Sequence, residues 1–254
     1  VRAFHSTLLD RHGFRHAFAT RHGGVSAEPY DTLNLGLHLG DDDAAVQENL
    51  QRFARALGVP IDDLFEQGQV HGVAVRAVSR ADARASVADA EGDALITRDP
   101  GVAVAARTAD CVPVLVAHAQ SGDVAAIHAG WRGAVAGVVP NALRALGHDP
   151  AELLAVIGPH IRASAFEVGD EVAAELSRVG GEGAVLRRQG QKPHGDLAVL
   201  IRAQLAKLGV PESSIDDVGG CTHADAANFF SHRRERGKTG RHLSAIVANR
   251  SSSC

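Results

Sequence analysis

The feature that most constrains this chain is a succession of strand-sized apolar runs with few helical stretches between them. They fall at residues 73–78, 94–97, 102–106, 112–117, 124–128 and 154–157. Runs of this length read as strands, so the middle of the chain is mostly sheet. An earlier short strand is expected where Phe14, His16 and Phe18 alternate, and a last one at 243–247. Helical spacing flanks the sheet region. Asp41 to Asp43 can cap a helix whose apolar face is Val46, Leu50, Phe53 and Leu57, with Gly58 and Pro60 stopping it. The 3.6-residue period returns at 168–179 and 197–208. Strands and helices mix without the strict alternation of a doubly wound parallel fold. The expectation is therefore one α+β domain spanning residues 1–254.

Composition narrows the class. With 254 residues, 45% hydrophobic and 22% charged, the chain can bury a sizeable core. A net charge of −4 argues against a broad electrostatic grip on nucleic acid or anionic lipid, and neither is an expected partner. No apolar run approaches the roughly 18 residues of a membrane span. The opening residues scatter His, Arg and Asp among apolar positions and do not read as a secretory signal. Cys111, Cys221 and Cys254 lie too far apart to suggest a disulfide framework, which points to the cytoplasm. Basic charge is carried almost wholly by arginine, lysine standing only at Lys192, Lys207 and Lys238.

Residues able to carry chemistry concentrate between Thr108 and Gly133. The order is Thr108-Ala-Asp110-Cys111-Val-Pro113, a strand, a turn at 119–123, and a second strand ending in Ile127-His128-Ala-Gly130-Trp131-Arg132-Gly133. The turn predicts a hairpin in which His118 faces Val124 and His128 faces Val114. That register points Cys111 and His128 to opposite faces. A bulge at Pro113, which cannot donate to the ladder, is the expected means of bringing them together. A thiolate beside an imidazole then admits a metal site with an open position, or a Cys nucleophile with a His base. With no CxxC or HExxH spacing, the local sequence by itself favours a small core hydrophobe and a satisfied core histidine. A third ligand would tilt the balance, and His71, in Gln69-Val-His71-Gly72, has nothing local to mark it.

Other candidates sit at element ends. Gly130-Trp131-Arg132-Gly133 lies where a strand passes into a helix, so backbone N–H groups and Arg132 could hold an anion, or form a tight turn with a solvated arginine. Pro140 is expected to kink that helix. Phe229 and Phe230, beside Ser231, His232, Arg233 and Arg234, could stack a base or sugar while the arginines meet phosphate, or could be core. Asn34, in Leu33-Asn34-Leu35-Gly36, could orient substrate or stabilise a loop, and Arg21 lies in a loop at Thr20-Arg21-His22-Gly23-Gly24.

Taken in order, the motifs Thr20-Arg-His-Gly-Gly-Val-Ser26, Leu33-Asn-Leu-Gly36, Gln69-Val-His-Gly72, Thr108-Ala-Asp-Cys-Val-Pro113, His128-Ala-Gly-Trp-Arg-Gly133, Ile157-Gly-Pro-His160 and Phe229-Phe-Ser-His-Arg-Arg234 are specific. In them the chain resembles the laccase-domain family. That family is also called the polyphenol oxidase-like, or peptidoglycan editing factor, family of purine nucleoside phosphorylases. His232 stands where the family more often has Tyr. The resemblance implies a four-layer α/β/β/α fold of mixed sheets. It also implies a zinc ion, or less readily copper, held by His71, Cys111 and His128.

The activity implied is phosphorolysis of adenosine, inosine, guanosine and methylthioadenosine, with adenosine deamination in the same site and a small-molecule substrate as partner. For that chemistry the catalytic candidates are Cys111 and Asp110, the latter as an orienting group or proton acceptor. Arg21, Asn34, Arg132, His232 and Arg233 are the candidates for holding nucleoside or phosphate. The editing-factor name implies instead hydrolysis of an amide in a peptidoglycan precursor carrying the wrong amino acid. A multicopper laccase would need a trinuclear cluster built from many histidines, typically in His-x-His pairs. The chain has no His-x-His and no methionine for an axial copper position, so oxygen reduction is not expected. A non-enzymatic module with a structural zinc would need a fourth protein ligand, for which His160 and Cys221 are the candidates.

Overall fold

In the computed structural model, which describes residues 1–250, the apolar runs form two facing sheets. Cys254 lies outside the described residues. Along the chain, β1 (Ala3–Phe4), α1 (Thr7–Arg11) and β2 (His16–Ala19) precede α2 (Asp43–Leu57) and β3 (Leu64–Phe65). Next come β4 (Val75–Val78), α3 (Arg84–Ala88), β5 (Ala94–Thr97), β6 (Ala103–Thr108), β7 (Val112–His118) and β8 (Val124–Ala129). Then follow α4 (Trp131–Ala136), α5 (Val138–Leu146), β9 (Leu153–Ile157), α6 (Asp170–Gly180) and the short pair β10 (Val185–Leu186) and β11 (His194–Gly195). The chain closes with α7 (Leu197–Leu208), β12 (Ile215–Asp217) and β13 (His242–Val247).

One sheet runs β1-β2-β13-β6-β3 and the other β12-β9-β7-β8-β5-β4, each mixing parallel and antiparallel neighbours. Three apolar seams hold the layers. Leu50, Phe53 and Leu57 of α2 cover Leu243 and Ala245 on the outer face of the first sheet. Phe18, Val104, Leu115 and Val156 fill the space between the sheets. Val112, Val114 and Ile127 meet Val139, Leu143, Ile201 and Leu205 of the outer helices. The order is α/β/β/α, in one mixed α+β domain. It explains why β7 is apolar without alternation: both faces are covered, and all its residues are buried.

Local signals placed several elements well. Asp42 accepts from the Ala44 N–H to cap α2, Gly58 ends it in the left-handed conformation, and α7 occupies the residues its period marks. Elsewhere the structure corrects the expectation. The β7–β8 hairpin pairs Ala117 with Val124 and Pro113 with His128, one residue away from the simple register. His118 instead faces Asp123, donating its N–H to the Asp123 carbonyl. Because strand side chains alternate, this shift alone puts position 111 on the same face as Pro113 and His128. No bulge is required. The helix after β8 starts at Trp131, before Gly133, and Gly137, at φ 97°, divides it into α4 and α5. Pro140 falls in the first turn of α5, where its missing N–H costs no helical bond, so it does not kink a helix.

Candidate active site

Three segments converge at one end of the gap between the sheets. His128 is the penultimate residue of β8, Cys111 precedes β7, and His71 lies in the loop between β3 and β4. Their ligand atoms all lie within 4.8 Å of one another. Cys111 Sγ is 3.7 Å from His71 Nε2, and the two imidazole rings meet edge to face at 4.8 Å. His71 and Asp110, the residue before Cys111, have φ of 60° and 91°. Non-glycine residues rarely adopt such backbone, and they gather where the surrounding structure dictates a side chain's direction.

Two glycines make the convergence possible. A Cβ on Gly130 would lie 2.6 Å from His71 Cδ2 and 3.2 Å from Cys111 Sγ, and one on Gly133 would lie 2.7 Å from the Gly72 carbonyl. The glycines of the Gly130-Trp131-Arg132-Gly133 turn therefore serve close approach of α4 to the His71 loop.

Asp93 organises the cluster from behind. Its Oδ1 accepts from His128 Nδ1 at 2.8 Å and from the His71 N–H at 2.9 Å, and its Oδ2 accepts from the Gly72 N–H at 2.6 Å. Burial would raise this carboxyl, but the hydrogen bonds from His128, Gly72 and His71 hold it below the usual carboxylate range. With Nδ1 engaged, His128 presents Nε2 to the cluster. Burial also works against charge on Cys111, yet the neighbouring His128 and His71 bring the thiol down to about 6. Burial lowers His128, while the thiolate and Asp93 raise it. Each group thus favours the charged form of the other, and a thiolate is the form that binds metal. Two imidazole nitrogens, a thiolate and a glycine-lined cradle fit a zinc-type donor set with room for a further ligand.

The cluster opens into a cavity of about 440 Å³, within the range of small-molecule sites. Leu37, Leu39, Ile161 and Phe166 supply apolar wall, and Arg107, Arg233 and Arg241 supply charge. Of the residues singled out in the sequence, His71, Asp110, Cys111, His128, His232 and Arg233 line it. The Asp110 carboxylate accepts from Thr222 Oγ1 and from the Arg233 N–H, both at 2.7 Å. It fixes the segment that carries His232 and Arg233.

Arg21, Asn34 and Arg132 do not line the cavity. Arg21 pairs with Asp31 at 2.9 Å and lies over the Phe230 ring. Arg132 stacks on Trp131 with 4.5 Å to the ring centroid. Asn34 is fully buried, and its Oδ1 accepts from the N–H groups of Gly36 and Arg241. Phe229 and Phe230 are core, each 0% exposed, and Arg234 spends its guanidinium on the Thr222, His223 and Phe229 carbonyls. Neither His160 nor Cys221 joins the cluster. Among the described residues one other group has metal-ligand spacing, His5, Asp10 and His16. There both ring nitrogens of His16 are already hydrogen-bonded, to the Ser6 N–H and the Phe14 carbonyl.

Asp93, Arg107 and Arg241 were not singled out in the sequence. Asp93 had a signal: an acidic residue heading a strand, Ala94–Thr97, that is otherwise fully buried.

Paired mixed sheets sheathed by helices, with a His–Cys–His cluster of metal-ligand spacing at their end, define the class. The chain belongs to the family described as multi-copper polyphenol oxidoreductase laccase, whose model matches residues 15–249. A protein of Deinococcus radiodurans named purine nucleoside phosphorylase is 42% identical over 91% of this chain and 88% of its own length. Purine nucleoside phosphorylase YfiH of Escherichia coli is 39% identical, over 90% and 91%. Among solved structures, YlmD from Geobacillus stearothermophilus superposes with a TM-score of 0.90 at 32% identity, covering 98% of this chain and 97% of that one.

Proposed function

We propose that this chain is a zinc-dependent purine nucleoside phosphorylase that also deaminates adenosine, with adenosine, inosine, guanosine and methylthioadenosine as substrates. The observation that carries the reading is the sharing of one cavity by the His71–Cys111–His128 cluster, an apolar wall and three arginines. The names of the relatives agree with it. Held by His71, Cys111 and His128, a zinc ion would supply Lewis acidity at an open position, to water in deamination and to the reacting nucleoside in phosphorolysis. The arginines would bind phosphate and set it against the sugar. In phosphorolysis a phosphate oxygen bonds to C1′ as the C1′–N9 bond breaks. The bonding pair leaves with the purine, which takes the proton that hydrogen phosphate gives up. Asp93 keeps His128 oriented, and Asp110 is a positioning residue that holds Arg233 and His232 at the rim.

The laccase description suits the donors poorly. Three ligands make one mononuclear centre, and the chain has no methionine for an axial copper bond. The exposure of His232 and Arg233 at the rim favours, as a second reading, hydrolysis of an amide in a larger peptidoglycan precursor. Product analysis with adenosine separates the readings. Adenine and ribose 1-phosphate formed only with phosphate, and inosine formed with or without it, support the proposal. Adenosine left intact by zinc-loaded protein refutes it and moves the assignment to the precursor.

A further inference from the structure

Arg241 enters the cavity on a fixed path. It lies just before β13, and its N–H donates to Asn34 Oδ1 at 2.9 Å. The same oxygen takes the Gly36 N–H at 3.0 Å, so one buried amide locks both residues. The stem of Arg241 then crosses Gly36, where a Cβ would come within 2.8 Å of Arg241 Cγ. Nη1 is tethered to the Thr239 and Gly240 carbonyls at 3.0 and 3.1 Å. Nε and Nη2 have no hydrogen-bond partner among the described residues. That pair forms the flat edge by which a guanidinium takes two oxygens of one anion.

Neighbouring charge is of both signs, with Arg107 the largest contribution. Arg107 lines the same cavity and has Glu66 at 3.4 Å, but Glu66 also faces Arg84 at 3.3 Å. Gln69 holds the Arg107 backbone from both sides, accepting from its N–H at 2.7 Å and donating to its carbonyl at 2.6 Å. Among the described residues no carboxylate lies within ion-pair distance of Arg241. Burial, and then the charge of Arg107, push Arg241 below the usual arginine value, outweighing the opposite pull of Cys111, Asp110 and Tyr30. Two guanidinium groups repel each other beside a cavity, and a bound dianion would remove that repulsion.

We propose that the Nε/Nη2 edge of Arg241, backed by Arg107, is the orthophosphate subsite of this cavity, with Asn34 and Gly36 as the residues that position it. This deepens the phosphorylase reading and rests on it for the role of the anion. The subsite lies on the inner wall, whereas Arg233 stands exposed at the rim.

The test uses the zinc-loaded full chain, with R241Q, R241K and R132A beside wild type. Inorganic phosphate is titrated calorimetrically, and phosphate and adenosine are each varied in the phosphorolysis assay. Loss of a hydrogen-bonded charge predicts a phosphate Kd and KM raised about 10- to 100-fold in R241Q. R241K, which keeps the charge but loses the flat edge, is expected to fall between R241Q and wild type. The adenosine KM is expected to hold within about twofold, and R132A to match wild type. Far-ultraviolet circular dichroism checks that each variant folds. An unchanged phosphate KM in R241Q, with phosphorolysis intact, overturns the subsite and leaves the function standing. Phosphate binding that depends on Arg241, without nucleoside cleavage by wild type, keeps the subsite and overturns the function. Absence of phosphate binding by wild type overturns the subsite directly.

Discussion

Asp93 Oδ1 lies 2.8 Å from His128 Nδ1 and also receives the His71 N–H, so one buried carboxylate fixes two of the three cluster residues. A ligating imidazole held this way keeps one tautomer and one direction. Asp93→Asn is close to isosteric but presents a different donor pattern to His128 and the two N–H groups. We expect zinc affinity to fall about 10- to 100-fold, read by competition with a chelator. Undiminished affinity would remove Asp93 from the account.

Gly130 tests the cradle. Its φ of −67° is open to any residue, so alanine there strains space rather than backbone. The added carbon would displace the His71 ring, 2.6 Å away. Gly130→Ala is expected to keep its circular dichroism spectrum but lose bound zinc in metal analysis. Full metal content in the variant would contradict the cradle.

The paired phenylalanines make a claim about packing. Phe229 is fully buried, touching Phe4 and His242 with ring centroids at 5.5 Å in each case. Phe229→Ala should cost about 3–5 kcal/mol in urea unfolding. The milder Phe229→Leu should leave the nucleoside KM unchanged. A raised KM with unaltered stability would instead make Phe229 a stacking platform.

Buried histidines set the acid limit of the fold. Burial, with Arg21 and Arg241 adding to it, lowers His242 to about 3, and burial with Arg162 lowers His160 to about 4. His16 is also lowered, chiefly by burial. The folded state keeps these rings neutral where the unfolded chain protonates them, near 6.5. The unfolded state therefore binds more protons between about 6.5 and the folded values, and stability falls as pH falls through that window. Each histidine contributes a slope of up to about 1.4 kcal/mol per pH unit. Urea midpoints measured from pH 7 to 4 should decline. A flat profile would mean that these rings charge without unfolding.

Much of the fold was legible because its signals are local. The helix α2 carries its cap, its apolar stripe and its terminating glycine in one stretch, and β7 announces burial on both faces by its continuous apolar run. What was hidden depends on partners far away in the chain. The hairpin register turned on whether His118 faces Val124 or Asp123, and that single step decides where Cys111 points. Arg21 and Arg132 looked available in glycine-rich segments, yet Asp31 and Trp131 occupy them. Arg241, just before β13, carries no local mark in the sequence. Only Asn34, some two hundred positions earlier, and the missing side chain at Gly36 direct it into the cavity.

Phosphate-dependent release of adenine from adenosine by the purified chain, followed through chelation and zinc return, tests the metal and the reaction together. Release is expected to stop on chelation and to return with about one equivalent of zinc per chain, as a single three-ligand centre requires. Undiminished release by the chelated protein, or no adenine from the zinc-loaded protein, would contradict the zinc-dependent phosphorylase reading.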